Sequence, residues 1–175
     1  YAAVIPQWVK QLLNHESPII NGDGSYSRDF TYISNVVQAN TKALFTSTKK
    51  ILEGQREYYN LDLDSHEYSF PSNKNVSNQI LELDNISEIF NIAFGGNTTL
   101  LELYEALKSS LTVFDPKIAN VEPEFGPVRL GDIPHSQASI LKAQTILNYD
   151  PEYDAPQGFS SAAQWYFNHI HGVNS

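Results

Sequence analysis

The extended stretches of this sequence are few and short, and this most constrains what it can fold into. Runs of β-forming residues predict strands at 18–21, 27–33 and 87–94, and residues 116–124 contain a further candidate. Helical patterns separate these stretches. Because strands this short cannot build a large doubly wound sheet, the sequence predicts an α/β class with the character of a small α+β lobe, in which helices dominate.

Apolar residues at spacings of three and four predict the helices. One helix is predicted over 2–14, and others over 137–147 and 158–169. Thr99 and Glu102 have the spacing of a capping box, which predicts the start of a further helix. The predicted core positions are Val4, Ile5, Trp8, Val9, Leu12 and Leu13 in the first helix, Leu100, Leu103, Tyr104, Leu107 and Leu111 in the capped helix, and Ile140, Leu141, Ala143 and Ile146 in 137–147.

Another helix is predicted over 35–51, with Ser34 as its N-cap. Asn148 is predicted to end the 137–147 helix in the left-handed conformation that glycine usually supplies. The pattern predicts that the 35–51 helix buries Val36, Val37, Ala43 and Leu44.

Two segments are predicted to be loops. Residues 54–80 are polar and aromatic and lack a sustained period, so they are predicted to form a long loop inserted into the fold. Residues 125–134 are rich in glycine and proline and form a second predicted loop, which carries Arg129.

Composition excludes several classes of function. The chain has 20 acidic and 11 basic residues and a net charge of -9, which argues against nucleic acid or an anionic membrane as its partner. Without cysteine it forms no disulfide, thiolate metal site or cysteine nucleophile. No apolar run approaches the roughly 18 residues of a membrane helix, and we expect a cytoplasmic location. Because Tyr1 opens directly into a helical pattern, we expect a piece of a longer protein.

The sequence has no complete catalytic centre. It lacks the GxGxxG and GxxGxxG dinucleotide fingerprints and the P-loop. His135 and Ser136 are adjacent, which is a poor geometry for a base and a nucleophile. His169 and His171 have no third metal ligand nearby. We therefore expect no catalytic residue, cofactor-binding residue or metal site in this chain.

Arg28 and Arg129 are the residues most suited to binding an anion. Each lies beside a turn, and each has an aspartate close in sequence, Asp29 and Asp132. Two interpretations are open. Each arginine pairs with its own aspartate as a structural element, or the two arginines clamp a phosphate or diphosphate, whose oxygens match the planar guanidinium group.

Longer phrases of the sequence resemble a known family. In order along the chain they are YAAVIPQWV, INGDGSYSRDFTYISNVVQAN, IFNIAFGGNTTLLELYEAL, RLGDIPHSQASILKAQTILNYDPEY and GFSSAAQWY. Together they resemble the C-terminal part of the extended short-chain dehydrogenase/reductases. The likeness is closest to bacterial UDP-N-acetylglucosamine 4-epimerases of the NAD-dependent epimerase/dehydratase family.

The resemblance implies that residues 1–175 are the UDP-sugar-binding domain and that an N-terminal Rossmann domain, absent from this chain, binds NAD and carries the Tyr-x-x-x-Lys pair. The implied reaction is NAD-dependent C4 epimerisation of UDP-N-acetylhexosamines for polysaccharide biosynthesis, by a full-length homodimer. The isolated piece is expected to be inactive. Two alternatives are another UDP-sugar epimerase, dehydratase or decarboxylase of the family, and a noncatalytic nucleotide-sugar-binding module.

The resemblance also assigns contacts to the nucleotide end of the substrate. The family stretch that matches Ala3 and Val4 lies against the nucleotide, and the strand that matches 19–21 flanks the uracil. Ile19 and Asn21 are therefore candidate uridine contacts.

By the same resemblance, Arg28 contacts the diphosphate, Arg129 contacts a phosphate and Asp132 contacts the ribose hydroxyls. Ser136 matches a position where a bulky tyrosine would crowd the sugar C2 substituent. A small residue leaves room for an N-acetyl group, and such steric exclusion is an effective source of specificity. Ser136 is also a candidate N-cap for the helix that follows it.

Overall fold

The computed structural model describes residues 3–64 and 87–170. Helices dominate, and each strand has two or three residues, which confirms the predicted class. The described helices are α1 (Val4–Leu13), α2 (Ile33–Phe45), α3 (Thr48–Asp64), α4 (Leu100–Thr112), α5 (Leu141–Leu147) and α6 (Ala155–Ile170), and a 3-10 helix covers Pro116–Asn120. The strands are β1 (Ile19–Asn21), β2 (Ser27–Arg28), β3 (Thr98–Thr99), β4 (Glu124–Gly126) and β5 (His135–Ser136).

The strands form two small sheets. In the first, β1 pairs in parallel with β4, and Asn21 lies opposite Gly126. In the second, β2 is the central strand, antiparallel to β3 and parallel to β5. The second sheet joins three segments that are far apart in sequence, and two candidate site residues, Arg28 and Ser136, lie opposite each other within it.

The larger core lies between α1, α4 and α6. The predicted capping box is present at the start of α4: the Thr99 hydroxyl accepts from the Glu102 N–H at 3.1 Å, and the Glu102 carboxylate accepts from the Thr99 N–H at 2.8 Å. Within this core the Tyr104 hydroxyl donates to the Val121 carbonyl at 2.5 Å. Burial raises the pKa of Tyr104. The buried positions of α1 agree with the predicted periodicity: Trp8, Val9, Leu12 and Leu13.

A smaller core connects α2 and α5 through Ala39, Ala93, Ile140, Ala143 and Tyr149. A buried polar residue of α2 fixes its orientation. The Asn35 amide donates to the Tyr153 carbonyl at 2.7 Å and accepts from the Glu152 and Tyr153 N–H groups at 3.0 and 3.1 Å. Because all these bonds are made, burying this side chain carries little cost.

The helix predicted over 35–51 is wrong in its bounds and in its buried face. Two helices, α2 and α3, meet at residues 46–47. Tyr32 rather than Ser34 is the N-cap of α2. Asn35 is buried, so the face of α2 that carries it packs inward. The opposite face of α2 is exposed, where Val37 is 55% and Leu44 is 76% exposed. Ala43 is also exposed and Val36 is half-buried.

The loop predicted for 54–80 is wrong for 54–64, because α3 continues to Asp64. Tertiary packing stabilises this polar helix. Gly54 lies so close to α5 that a β-carbon there would come within 2.7 Å of the Ile146 Cα. Next to it, buried Gln55 donates to Glu88 at 2.5 Å, and Lys142 of α5 pairs with the same carboxylate. Residues 65–80 lie outside the described part of the chain.

Three strand predictions need correction. Residues 87–94 are irregular, since no strand of the described residues lies beside them to pair with. The extended segment 27–33 is a strand only over Ser27–Arg28, and α2 begins at Ile33. Within 116–124 the chain forms the 3-10 helix, and β4 begins at Glu124.

The last two helices follow the predictions with shifted starts. α5 begins at Leu141 rather than at 137, and Leu141, predicted inside, is 50% exposed. Asn148 ends α5 with φ of 54°, which confirms the left-handed C-cap. α6 begins three residues earlier than predicted, at Ala155.

Candidate functional site

Arg28 occupies the middle of the three-stranded sheet. It lies opposite Thr98 of β3 on one side and opposite Ser136 of β5 on the other. Opposed residues of neighbouring strands point to the same face of a sheet. The side chains of Thr98, Arg28 and Ser136 therefore share one face. We call these three strands the Arg28 sheet.

The other face of the Arg28 sheet fixes the strands in place. Ser27 is 1% exposed, and its hydroxyl lies 2.8 Å from His135 Nδ1. The Ser27 N–H also donates to the Pro134 carbonyl at 2.8 Å. Sequence reasoning missed this pair, because 108 residues separate its members. The two bonds hold β2 against β5 and so place Ser136 beside Arg28.

The Arg28 guanidinium is not paired with an aspartate. Its Nη1 donates to the Ser27 carbonyl at 2.7 Å and to the Pro134 carbonyl at 3.4 Å. No ion pair involves Arg28 among residues 3–64 and 87–170. The structural interpretation, in which Asp29 neutralises Arg28, is therefore wrong. The carbonyl contacts orient the guanidinium but leave its charge unbalanced.

Asp29 has a different role. Its Oδ2 accepts from the Gly95 N–H at 3.1 Å and from the Ala138 N–H at 3.3 Å. These bonds tie the residue after β2 to two other segments of the chain. Tyr149, whose hydroxyl donates to the Ala93 carbonyl at 2.7 Å, lies in the same region. Burial, and secondarily the Asp29 charge, raise the pKa of Tyr149.

Aromatic packing fixes the chain that leaves the Arg28 sheet. The Phe30 ring meets Phe159 of α6 edge-on, with centroids 5.6 Å apart. Tyr32 lies against Gly158, where an added β-carbon would come within 2.9 Å of the Tyr32 Cβ. Arg28 is thus held by a backbone that is fixed both before and after it.

Arg129 and Asp132 lie in an open loop, residues 127–134, which we call the Arg129 loop. All its residues are exposed. The Asp132 N–H donates to the Arg129 carbonyl at 3.2 Å, and Gly131, with φ of 88°, supplies the positive φ that a type II turn requires. No hydrogen bond or ion pair of either side chain is found within the described residues, so Asp132 does not hold Arg129 there.

The ends of the Arg129 loop are fixed by the two sheets. It leaves Gly126, which lies opposite Asn21, and enters His135, which lies opposite Ser27. The Arg129 loop therefore connects the sheet that carries Ile19 and Asn21 to the sheet that carries Arg28. The loop itself contacts the body at Val128, whose side chain limits the space over Gly22.

The candidate uridine contacts share a face of β1. Ile19 is 48% exposed and Asn21 is half-buried, whereas Ile20 between them is buried on the other side. Both outer side chains lie against Gly126, where a β-carbon would come within 3.1 Å of Ile19 Cγ2 and 3.5 Å of Asn21 Oδ1. The absence of a side chain at Gly126 keeps this face open.

Ala3 and Val4 lie at the start of α1, where Ala3 is the exposed N-cap residue and Val4 is half-buried. Ile5, next along, lines an apolar pocket of about 170 Å³ together with Phe30 and Tyr32. The N-terminus of α1 is thus near the segment that follows Arg28.

Ser136 is exposed and does not cap a helix. It lies in β5, and α5 begins five residues later with Ile140 as its N-cap. The N-cap prediction is therefore wrong. The structure brings Arg28 and Ser136 together, places Ile19 and Asn21 on the neighbouring sheet, and leaves Arg129 and Asp132 unattached in the loop between the two sheets.

The N-terminus of α4, which follows the glycine pair Gly95 and Gly96, does not fit a dinucleotide cofactor. Such a site needs free backbone N–H groups in a glycine-rich turn at a helix N-terminus. Before α4, the Gly95 N–H is bonded to Asp29 and the Thr99 N–H is bonded to Glu102. No cluster of three or more metal-ligating side chains and no helix able to cross a membrane occurs in the described ranges.

Comparison with known proteins finds sequence and structural similarity over most of the chain. The model of the NAD dependent epimerase/dehydratase family matches residues 1–60. A putative UDP-glucose 4-epimerase of Methanocaldococcus jannaschii is 26% identical over 95% of this chain. The structure of a UDP-N-acetylglucosamine 4-epimerase of Methanobrevibacter ruminantium, in complex with UDP-N-acetylmuramic acid, is 25% identical over 97% of this chain with a TM-score of 0.64. The predicted resemblance is confirmed.

A second solved epimerase shows the same likeness. The UDP-glucose 4-epimerase of Thermotoga maritima, solved with UDP-glucose, is 26% identical over 98% of this chain with a TM-score of 0.63. The chain spans 40% of the length of the first two relatives and 41% of the third. It is thus similar, over nearly its whole length, to a part of UDP-sugar epimerases.

Proposed function

We propose that this chain is the substrate-binding portion of an NAD-dependent UDP-sugar 4-epimerase and holds the UDP group of its substrate. Arg28 binds the diphosphate, Arg129 binds a phosphate from the other side, and Asp132 binds the ribose hydroxyls. Ile19 and Asn21 flank the uracil, and Ala3 and Val4 lie against the nucleotide.

One observation carries this proposal: Arg28 is oriented by two carbonyls and has no neutralising carboxylate. A fixed guanidinium with an unbalanced charge suits a bidentate bond to phosphate. Arg129, on a loop anchored at both ends, supplies a second cation able to close on the same ligand. A remote anchor of this kind holds a substrate while its sugar reacts elsewhere.

We propose that the reaction itself requires residues and a cofactor outside this chain. The sequence lacks the dinucleotide fingerprint, and the α4 N-terminus does not fit NAD. One Tyr-x-x-x-Lys spacing occurs, at Tyr104 and Lys108, but this tyrosine is buried in the core and its hydroxyl donates to the Val121 carbonyl. The exposed face of α2, with Ile33, Val37 and Leu44, supports a further domain packed against it. NAD and the catalytic residues then belong to that domain, the isolated chain is inactive, and the full-length protein is a homodimer.

We propose UDP-N-acetylhexosamine as the substrate class. Ser136 lies opposite Arg28 with a small, exposed side chain, which leaves space next to the diphosphate anchor. The second candidate is UDP-glucose, which the likeness to UDP-glucose 4-epimerases favours. Replacing Ser136 with tyrosine fills that space and distinguishes the two.

The experiment is calorimetric titration of UDP, UDP-GlcNAc and UDP-glucose into the wild type and into three arginine variants. Arg28→Ala and Arg129→Ala are each expected to weaken binding by about 1.5–3 kcal/mol, the range of hydrogen bonds to charged groups. Arg56→Ala is the matched control, since Arg56 is exposed on α3, away from both sheets, and its loss changes net charge by the same amount.

Equal weakening in all three variants would mean a general charge effect and contradict the clamp. UDP binding that is not weakened in either Arg28→Ala or Arg129→Ala would also contradict the clamp. For the sugar, Ser136→Tyr is expected to weaken UDP-GlcNAc binding at least tenfold more than UDP-glucose binding, or roughly 1.4 kcal/mol. An equal effect on both would favour the second candidate.

A further inference from the structure

The fold gives no structural role to the hydroxyl group of Thr98. Its neighbour Thr99 caps α4, and the Thr99 hydroxyl bonds with both the backbone and the side chain of Glu102. Thr98 takes no part in that cap. It is half-buried, and no hydrogen bond of its hydroxyl is found among the described residues.

Strand pairing places Thr98 directly beside Arg28. Arg28 lies opposite Thr98 on β3 and opposite Ser136 on β5. Adjacent strands are about 4.8 Å apart, so the two hydroxyl-bearing residues flank the arginine at nearly equal distances. Thr99, Ser27 and His135 face the other side, where Ser27 bonds to His135. The Thr98 side chain thus lies on the same face of the sheet as those of Arg28 and Ser136, on the strand that borders Arg28 on its other side.

We propose that Thr98 is a further binding residue whose hydroxyl donates to the phosphate group held by Arg28, on the side away from Ser136. This inference rests on the proposed function. A hydroxyl can donate to an anionic oxygen while the guanidinium forms its own bonds to the other oxygens. In this arrangement Ser136 faces the sugar, Arg28 the diphosphate, and Thr98 the phosphate nearer the nucleoside.

The test compares Thr98→Val, which keeps the shape and removes the hydroxyl, with Thr98→Ser, which keeps the hydroxyl. UDP and uridine are titrated into both variants and the wild type. Thr98→Val is expected to weaken UDP binding about tenfold, within the range of one hydrogen bond to a charged group. Thr98→Ser is expected to stay within about twofold of the wild type, and uridine binding is expected to be unchanged in both.

Any one of three results would overturn this inference and leave the proposed function intact. Thr98→Val binds UDP as tightly as the wild type, Thr98→Ser loses as much affinity for UDP as Thr98→Val, or Thr98→Val loses equal affinity for uridine and for UDP. Thr98→Ala replaces Thr98→Val if the valine variant melts at a lower temperature than the wild type. A wild-type chain that does not bind UDP would overturn the proposed function, and this inference with it. Intact UDP binding in Arg28→Ala with loss in Thr98→Val would overturn the shared phosphate contact.

Discussion

The Arg28 sheet and the Arg129 loop present their arginines in opposite ways. Around Arg28, hydrogen bonds of Ser27 to His135 and to the Pro134 carbonyl hold β2 against β5, and Asp29 accepts a bond from the Gly95 N–H. In the Arg129 loop, before its end at Pro134, one turn bond joins Asp132 to Arg129, Val128 lies close to Gly22, and every residue is exposed. A site built from one fixed and one open cation can position a ligand with the first and enclose it with the second.

The difference has an energetic consequence. Ordering a loop on a ligand costs conformational entropy, whereas a preformed guanidinium costs little. We therefore expect Arg28 to supply most of the initial recognition. Substitutions of the residues that fix the Arg28 sheet are expected to lower stability more than comparable substitutions in the Arg129 loop.

The largest expected effect comes from removing Asp29, and the removal of Asp132 is the comparison. Asp29→Ala removes two bonds from backbone N–H groups to a charged acceptor, so we expect a loss of about 2–4 kcal/mol in the free energy of unfolding. Asp132→Ala is expected to change it by less than about 0.5 kcal/mol, as an exposed substitution does. Urea denaturation followed by circular dichroism measures both. Similar losses in the two variants would contradict the contrast between the regions.

A second pair of substitutions tests the same contrast through the backbone. Gly24 and Gly131 both have positive φ, at 81° and 88°. A β-carbon at Gly24 would come within 3.2 Å of Leu101 Cβ, whereas at Gly131 nothing lies within 4 Å. Gly131→Ala is expected to cost about 1 kcal/mol, from backbone strain alone.

Gly24→Ala adds crowding to the same strain, and we expect a total of about 2–3 kcal/mol. Thermal melting of the two variants side by side measures the difference. If Gly131→Ala melted as low as Gly24→Ala, the Arg129 loop would be as tightly packed as the turn that leads into the Arg28 sheet, and the proposed closure on a ligand would lose its basis.

Local features of this fold could be predicted from the sequence. The periodicity of α1, the capping box of Thr99 and Glu102, and the left-handed Asn148 depend on residues within one or two turns of each other. Such signals need no knowledge of the rest of the chain. The glycine-containing turn that precedes Arg28, residues 21–24, can be predicted from the sequence for the same reason.

Features that depend on distant partners could not be predicted. The buried face of α2 is chosen by Asn35, whose partners lie 117 and 118 residues away. The helical state of residues 54–64 depends on the close approach of Gly54 to α5. In the site, strand pairing placed Thr98 and Ser136 beside Arg28, and no local pattern in the sequence indicates that pairing.

The smallest expected effect concerns the cap that borders the Arg28 sheet. The Thr99 backbone N–H and, secondarily, its hydroxyl lower the pKa of Glu102 from its ordinary value of 4.5. A lowered pKa in the folded state means that Glu102 stabilises the fold above pH 4.5, and that this contribution is lost as the pH falls through the lowered value. Because Glu102 is exposed, we expect the contribution to be about 0.5 kcal/mol or less at neutral pH.

Glu102→Gln removes the titrating group, so the stability difference between wild type and variant is expected to be largest near neutral pH and to vanish in acid. Urea denaturation at several pH values measures it. Glu105→Gln, in the next turn of α4 and also exposed, is the control and should show no comparable convergence. A Glu102→Gln difference that stayed constant with pH would mean that packing, rather than the charged cap, stabilises this end of α4. The cap would then contribute nothing electrostatic to the position of β3 beside Arg28.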